Sequence, residues 1–205
     1  WMVHSFPTRR SSDLPDGAID EPAWRQALGF VLDEDAVPAW QAIGSVIADG
    51  RRSQDEKARF WLLATPAGLA LLADIDTGGQ APMQRHNDWY KGDCLELFVD
   101  HSPAGDKPDA QLFLAYQRPG LDRACASHPD LRLGRARTPR GYLLEALIPW
   151  PVLGLAGTTG GRTRVDFQVD YGNADGRRLQ LCLGTGTNEA WFTSLRYLTI
   201  SLTAP

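Results

Sequence analysis

Two adjacent aromatic residues, Trp89 and Tyr90, stand in the polar part of NDWYKGDCLELFVD, residues 87–100, just before a segment that alternates like a β-strand. A third ring, Trp191, lies in the polar sequence GTGTNEAWFTS before the last predicted strand. Exposed flat rings suit sugars, because the C–H face of a pyranose stacks on a ring while its hydroxyl groups need hydrogen-bond donors and acceptors. The alternative is that each ring packs on its own strand ends. Stacking with hydrogen bonding is therefore the first candidate chemistry.

Carboxylate pairs are a second candidate, since a glycosidase places an acid and a second carboxylate on either side of one bond. Glu96 could pair with Glu145 or with Asp93. Asp93 and Glu96 are three residues apart, so on a regular strand their side chains point to opposite faces. Glu145 lies between Leu144 and Ala146 and is expected on the solvated or ligand-facing side of its strand. We therefore predict no catalytic pair.

Motifs for other kinds of catalysis are missing from the sequence. It contains no HExxH and no Gly-x-Ser-x-Gly, and its histidines are isolated. Cys94 and Cys182 stand in apolar, strand-like surroundings, which predicts buried free thiols rather than a metal or disulfide framework. We predict that this chain has no catalytic residues and no catalytic activity of its own.

The composition is typical of a globular domain. The 205 residues are 43% hydrophobic and 22% charged, which is enough apolar material for one sizeable core. The formal net charge is -4 and the Lys and Arg residues are scattered, so no basic stripe offers a footprint for nucleic acid. No apolar stretch reaches the roughly 20 residues that cross a bilayer. We predict neither nucleic-acid binding nor membrane insertion.

Strands of period two, separated by clusters of Gly, Pro, Asp and Asn, account for most of the chain. A hairpin is predicted from residues 58–64 and 69–75 around the turn TPAG. Further strands are predicted over residues 94–100, 110–117, 131–138, 141–150, 164–172, 177–184 and 194–202. About nine strands with polar residues between apolar ones are typical of an antiparallel β-sandwich. The fold class is therefore predicted to be all-β.

The N-terminal region holds the exceptions to this pattern. A short helix is predicted over residues 16–28, where Asp20 can cap it and Trp24, Ala27 and Leu28 share one face. HSFPTRRSSDL, residues 4–14, is the peptide that the end of a common sequencing adapter encodes. We predict that residues 1–14 are a disordered assembly artefact and that residues 15–205 form a single domain. The native N-terminus, and any signal peptide, would then be missing.

Five features in order along residues 15–202 resemble the family 9 carbohydrate-binding modules, a DOMON-like, jelly-roll-like β-sandwich group. DGAIDEPAW is similar to the family's opening segment, and YKGDCLELFVD is similar to its aromatic-x-x-Asp-x-x-Glu strand. DAQLFLAY and EALIPW are similar to its central strands, and FQVDYGNADG followed by NEAW to its closing segments. The resemblance implies non-catalytic binding of a sugar, in association with polysaccharide degradation.

The resemblance also implies which residues bind the sugar. In the family, two rings clamp it, and their positions fall on Tyr90, or on Trp89 if the loop is shifted by one residue, and on Trp191. The hydrogen-bonding positions fall on Glu96, Gln168 and Asn188.

Two positions depart from the family pattern. Phe113 stands where the sugar-binding member has an Arg, and Tyr171, which we include among the ligand-binding candidates, stands where it has an Asp. The loss of a charged fork weakens the recognition of hydroxyl groups. The ligand would therefore differ from that of the xylanase modules, or sugar binding would have been lost while the fold was kept.

Structural calcium is a further implication, because family members hold it in loops rich in Asp. Acidic residues of two segments are the candidate oxygen ligands, with plain solvated loop acids as the alternative. These candidates are Asp16, Asp20, Glu21, Asp106 and Asp109.

The resemblance implies partners and a location as well. The partner would be an oligosaccharide or polysaccharide, the location extracellular or periplasmic, and a catalytic domain could belong to the full-length gene product. The chain would then be an accessory part of a glycoside hydrolase. Some DOMON-like sandwiches instead carry haem for electron transfer, and Met83 and His86 are the available axial ligands for that alternative.

Overall fold

The computed structural model describes residues 2–3, 24, 27–32, 56–83, 89–102, 107–116, 131–156, 161–183, 190 and 193–202. Within these ranges, the chain folds into eleven strands and two short 3-10 turns, Trp89–Lys91 and Trp150–Leu153. The strands are β1 (Met2–Val3), β2 (Leu28–Leu32), β3 (Glu56–Thr65), β4 (Gly68–Thr77), β5 (Cys94–Asp100), β6 (Ala110–Ala115), β7 (Arg132–Arg137), β8 (Gly141–Pro149), β9 (Arg162–Asn173), β10 (Gly176–Cys182) and β11 (Leu198–Leu202).

The strands form two sheets. The first sheet has the order β1-β11-β9-β5-β6, with β10 paired to β9 as well, and the second has the order β2-β3-β4-β8-β7. The strand pairs are antiparallel except for β1, which runs parallel to β11. Helical segments in the described ranges fall short of the length and apolarity that a membrane-crossing helix needs. The two antiparallel sheets confirm the predicted all-β sandwich.

One hydrophobic core lies between the sheets and takes alternate residues from both of them. Phe60 of β3 and Phe167 of β9 stack across the interface with ring centroids 4.9 Å apart. Burial of apolar side chains removes their surface from water, at roughly 25 cal/mol per Å². Since successive strand residues point to opposite faces, the neighbours of these core residues are directed to the outer face of each sheet.

Most of the predicted strands are found at or near their predicted positions. The hairpin of β3 and β4 turns between Thr65 and Gly68, as the sequence TPAG predicts. β5 matches residues 94–100. The last strand begins at Leu198 rather than at Ser194, because residues 195 and 196 form a turn in which the Tyr197 N–H donates to the Ser194 carbonyl at 3.1 Å.

The predicted N-terminal helix is wrong at its end. Leu28 begins β2 and pairs with Leu62 of β3, and its side chain packs against the core. A strand ladder satisfies the backbone N–H and C=O groups there, and this outweighs a local helical pattern of side chains. The Ala27 N–H donates to the Trp24 carbonyl at 3.2 Å, which makes a single turn. Residues 16–23, 25 and 26 of the predicted helix lie outside the described residues.

The stretch set aside as adapter-derived is described at two positions. Met2 and Val3 form β1 and pair with Ser201 and Leu202 of β11, so the disorder predicted for residues 1–14 is not found at these two. Residues 4–14 lie outside the described part of the chain. The origin of this stretch and the boundary at residue 15 stay predictions.

Candidate functional site

A row of polar side chains crosses the outer face of the first sheet. Alternation places Glu96 of β5 on this face, because Leu95 and Leu97 on either side of it lie in the core. Glu96 pairs with Gln168 of β9 on one side and with Phe113 of β6 on the other. Residues that are far apart in the sequence therefore become neighbours through the pairing register of β5, β6 and β9.

Hydrogen bonds tie this row together. The Gln111 Nε2 atom donates to Glu96 Oε2 at 2.7 Å. The Gln180 Nε2 atom donates to Gln168 Oε1 at 3.0 Å and to Asp170 Oδ1 at 2.8 Å. Glu96, Gln168, Asp170 and Gln180 are all buried. A buried network in which amide donors meet carboxylate acceptors fixes the side chains in one arrangement.

Arg177 completes the network from β10. Its Nη1 atom lies 3.0 Å from Asp170 Oδ1, and 11% of the Arg177 side chain is exposed against none of the Asp170 side chain. The Cys94 thiol also donates to Asp170, with Sγ 3.4 Å from Oδ2. The Arg177 guanidinium, the Gln180 amide and the Cys94 thiol all contact the Asp170 carboxylate, and these contacts stabilise its ionised form.

The pKa of Glu96 is raised well above the ordinary value, first by burial, then by the negative charge of Asp170 and by a hydrogen bond between the two carboxyl groups. Burial also raises the pKa of Asp170, although Arg177 and the hydrogen bond from Glu96 act in the opposite direction. Because only Asp170 has the guanidinium directly beside it, we assign the proton to Glu96 and the charge to Asp170. Burial, followed by the negative charge of Asp170, likewise raises the pKa of the Cys94 thiol, which keeps it protonated.

The turn Trp89–Lys91, here called the Tyr90 turn, lies at the edge of this row and contacts β5, β6, β9 and β10. The Tyr90 side chain is 40% exposed. The Arg177 Cζ atom lies 5.7 Å from the centre of its ring and the Lys91 Nζ atom 5.6 Å from it, within the range of cation–π contacts. Arg177 thus links the exposed ring to the buried carboxylates.

Asp93 anchors the segment that carries the Tyr90 turn. The Met83 N–H donates to the Asp93 carboxylate at 2.5 Å, and the Asp93 N–H donates to the Met83 carbonyl at 2.6 Å. These two bonds close the segment between residues 83 and 93 at its base. Asp93 is therefore a structural anchor, as its burial also indicates.

The other end of β5 holds a second polar cluster. The Asp100 carboxylate accepts hydrogen bonds from Arg164, Ser194 and the Ser102 N–H. Burial alone would raise the pKa of Asp100, but these donors outweigh it and lower the pKa. Because Ser194 begins the turn before β11, this cluster ties that turn to the sheet.

Among the described residues, Tyr171 is a predicted site residue that lies on the inner face of its sheet rather than on the outer face. It is fully buried in the core, with its hydroxyl donating to the Lys57 carbonyl at 3.2 Å. Gln168 and Asp170 share the outer face, so Asp170 occupies the position for which Tyr171 was proposed. The alternation of FQVDYG would have revealed this, because Gln168 and Asp170 are two residues apart and Tyr171 is three residues from Gln168.

The other predicted residues divide into two groups. Tyr90, Glu96 and Gln168 belong to one row or its edge. The Trp89 side chain, Asn188 and Trp191 lie outside the described residues, so the proposed second ring stays a prediction. Four residues of the row were not predicted from the sequence: Gln111, Asp170, Gln180 and Arg177. The first three alternate with core residues in their strands, which is the signal that could have found them. Arg177 stands beside a bulge in β10, where the alternation is interrupted.

Of the five candidate calcium ligands, Asp109 lies within the described residues. Its carboxylate accepts the His101 N–H at 2.7 Å. Within the described ranges, the acidic, Cys and His side chains form one group of three that could hold a metal ion, and it consists of Cys94, Glu96 and Asp170. Asp109 is not a member of this group, and the calcium site itself stays a prediction. Asp16, Asp20, Glu21 and Asp106 lie outside them, as does His86 of the haem hypothesis.

Glu145 differs from its expected environment. It lies in β8 of the second sheet and is fully buried rather than solvated. Glu96 lies in the first sheet, so the two residues do not flank a common cleft. Glu96 and Glu145 therefore do not act together on one bond.

Comparison of the whole chain with solved structures gives matches to family 9 carbohydrate-binding modules. One from Caldicellulosiruptor kristjanssonii, in complex with cellotriose, matches with a TM-score of 0.72 and 17% identity over 100% of this chain and 93% of that chain. A structure of such a module from the same organism in complex with glucose matches with the same TM-score and identity, over 96% of its length. No family model and no curated protein matches the sequence. The resemblance inferred from the sequence is thus confirmed at the level of the fold.

Proposed function

We propose that this protein is a non-catalytic carbohydrate-binding module that holds a sugar at the outer face of the first sheet. The observation that carries this proposal is the exposed Tyr90 ring at the edge of the polar row, joined to Asp170 through Arg177. A ring beside fixed amide and carboxyl groups offers the two kinds of contact that a pyranose needs.

The parts of the site would have separate roles. Tyr90 would support the apolar face of the sugar, while Gln111, Arg177 and the edge of Glu96 would meet its hydroxyl groups. The buried Gln168 and Gln180 amides would orient the groups above them, since each already bonds within the row. Affinity would be modest, on the order of micromolar to millimolar, or about -4 to -8 kcal/mol.

The solved structures support the choice of ligand. The two modules of similar fold are complexes with cellotriose and with glucose. We therefore propose a β-linked glucan or a related oligosaccharide as the ligand. The loss of the family's Arg at Phe113 is offset here by Arg177, which brings a guanidinium to the same row from the opposite side of β5.

The remaining expectations from the resemblance stay proposals. Trp191 would provide the second ring of the clamp, with Asn188 beside it. Calcium would be held by residues outside the described ranges. We also propose an extracellular or periplasmic location and a catalytic partner domain in the full-length product, in keeping with a role in polysaccharide degradation.

Isothermal titration with glucose, cellotriose and xylobiose, in a buffer freed of transition metals and supplied with Ca²⁺, tests the proposal. We expect binding of at least one of these sugars, and a loss of about tenfold or more in the Tyr90→Ala and Gln111→Ala variants. Trp191→Ala tests the second ring in the same way.

Arg59→Ala is the matched control, because Arg59 is an exposed residue on the second sheet. It should leave the affinity unchanged. If the folded protein binds none of the three sugars, or if Tyr90→Ala and Gln111→Ala bind as tightly as the unaltered chain, the proposed site is wrong.

A further inference from the structure

Three ionisable groups meet within the buried part of the row. Cys94 of β5 lies directly opposite Asp170 of β9, and Glu96 follows on the same face of β5. One ligand atom from each of these residues lies within 4.8 Å of the others, and all three residues are buried. Burial of a thiol and two carboxyl groups side by side is costly unless they are paired, and a sandwich face does not need these groups in order to be polar.

A fourth possible ligand atom, the side-chain oxygen of Gln180, lies near these three groups. Gln180 of β10 pairs with Asp170, so that Cys94, Asp170 and Gln180 form one line across three strands. The Gln180 Oε1 atom is buried and has no hydrogen-bond partner in the part of the chain that the structure describes. Its amide nitrogen lies 2.8 Å from Asp170 Oδ1, so covalent geometry keeps the oxygen within roughly 5 Å of that carboxylate. A buried oxygen beside this group is available as a further ligand atom, because none of the described residues donates a hydrogen bond to it.

The charges of the group also favour a cation. Fully deprotonated, Cys94, Glu96 and Asp170 carry three formal negative charges, of which the Arg177 guanidinium offsets one. A divalent cation would make the assembly neutral. Without it, the group must hold protons instead, which agrees with the raised pKa values of the Cys94 thiol and the Glu96 carboxyl.

We propose that Cys94, Glu96 and Asp170 form a site for a divalent transition-metal ion of the zinc class, with the neighbouring Gln180 oxygen as a fourth donor. A thiolate ligand selects Zn²⁺ or Co²⁺ over Ca²⁺ and Mg²⁺, which prefer oxygen ligands alone. Gln111 and Arg177 hold the outer oxygens of Glu96 and Asp170, as outer-shell groups do in metal sites. Binding would release one proton from the Cys94 thiol and one from the Glu96 carboxyl, so affinity would fall at low pH.

Titration of the full chain with Co²⁺ in metal-free buffer, without sugar, tests this site. We expect visible d–d bands and a near-ultraviolet thiolate-to-cobalt band that saturate at one equivalent, and their loss when Zn²⁺ is added. Cys94→Ser should abolish the thiolate band. Glu96→Gln, which keeps the thiol and the side-chain shape, should weaken binding by at least the roughly 10- to 100-fold that an outer-shell change costs.

Cys182→Ser is the matched control, because Cys182 is another buried free thiol on the same face but not a member of the group. It should keep the full cobalt spectrum. The proposal is overturned if the unaltered chain gives no thiolate band, if the band survives in Cys94→Ser, or if Glu96→Gln binds cobalt with unchanged affinity. Because the metal titration contains no sugar and the sugar titration contains Ca²⁺ but no transition metal, either proposal can fail without the other.

Discussion

Gly172 of β9 lies directly against Gly92, so that a Cβ atom on Gly172 would stand 2.8 Å from the Gly92 Cα atom and 3.1 Å from the Lys91 carbonyl oxygen. Because Gly172 has no side chain, the backbone of Lys91 and Gly92 can lie against the outer face of β9 at this position. The close approach of two backbones brings the Tyr90 turn onto the sheet beside Arg177, and a side chain at Gly172 would prevent it.

Gly172→Ala should therefore displace the Tyr90 turn. We expect a loss of about 1–3 kcal/mol in the free energy of unfolding, measured with urea, and weaker sugar binding by titration. Gly161→Ala is the control, because a Cβ there meets no atom within 4 Å. That variant should be neutral or slightly more stable, since alanine restricts the unfolded chain. Equal stability of the two variants would contradict the close approach.

Arg177→Met should be far more damaging than Arg59→Met. Both residues pair with an aspartate, but the side-chain exposures are 11% for Arg177 and 0% for Asp170, against 58% for Arg59 and 17% for Asp74. Removal of Arg177 leaves a buried charge without its partner, at a cost of about 3–5 kcal/mol, whereas an exposed pair contributes about 0–1 kcal/mol.

Urea unfolding of both variants measures this difference. Adding Asp170→Asn to Arg177→Met should recover part of the stability, because the unpaired charge is then removed. A double variant less stable than Arg177→Met alone would show that the charge of Asp170 is not the cause.

Glu96→Gln should change the pH dependence of stability. Since the pKa of Glu96 in the folded protein lies well above its ordinary value of 4.5, the folded state retains a proton that the unfolded state loses. The associated stability is complete below about pH 4.5 and is lost as the pH rises through the folded pKa.

The Glu96→Gln variant has no such proton, so its stability relative to the unaltered chain should increase as the pH rises from 4.5 toward neutral. Urea unfolding at three pH values across this interval, without metal, measures the difference. A constant difference, or one that decreases with pH, would show that Glu96 is ionised in the folded state.

Phe167→Ala should destabilise the sandwich by about 3–5 kcal/mol, because it removes a ring stacked on Phe60 at the centre of the core. Leu195→Ala should stay within roughly 0.5 kcal/mol, since 73% of Leu195 is exposed. Thermal unfolding of the two variants provides the comparison. A small loss for Phe167→Ala would mean that the two sheets are not held together by this contact.

Local pattern was sufficient for much of this fold. The alternation in CLELFVD predicts β5 from Cys94 to Asp100, and TPAG predicts the hairpin turn, because both depend on residues that are neighbours in the chain. The prediction failed at Leu28, where pairing with β3 replaced a helical pattern. Leu62, the partner of Leu28, is more than 30 residues away, so the residues around Leu28 do not indicate this pairing.

The sequence by itself determined that the protein is a β-sandwich and that an aromatic ring, Tyr90 or Trp89, precedes β5. Only the tertiary structure decided which polar residues meet. Register brought Asp170 rather than Tyr171 beside Glu96, since a shift of one residue moves a side chain to the other face. Arg177 reached Asp170 from a separate strand, beside a bulge that no periodicity predicts. A binding site assembled from four strands depends on long-range pairing, and spacing along the chain does not encode it.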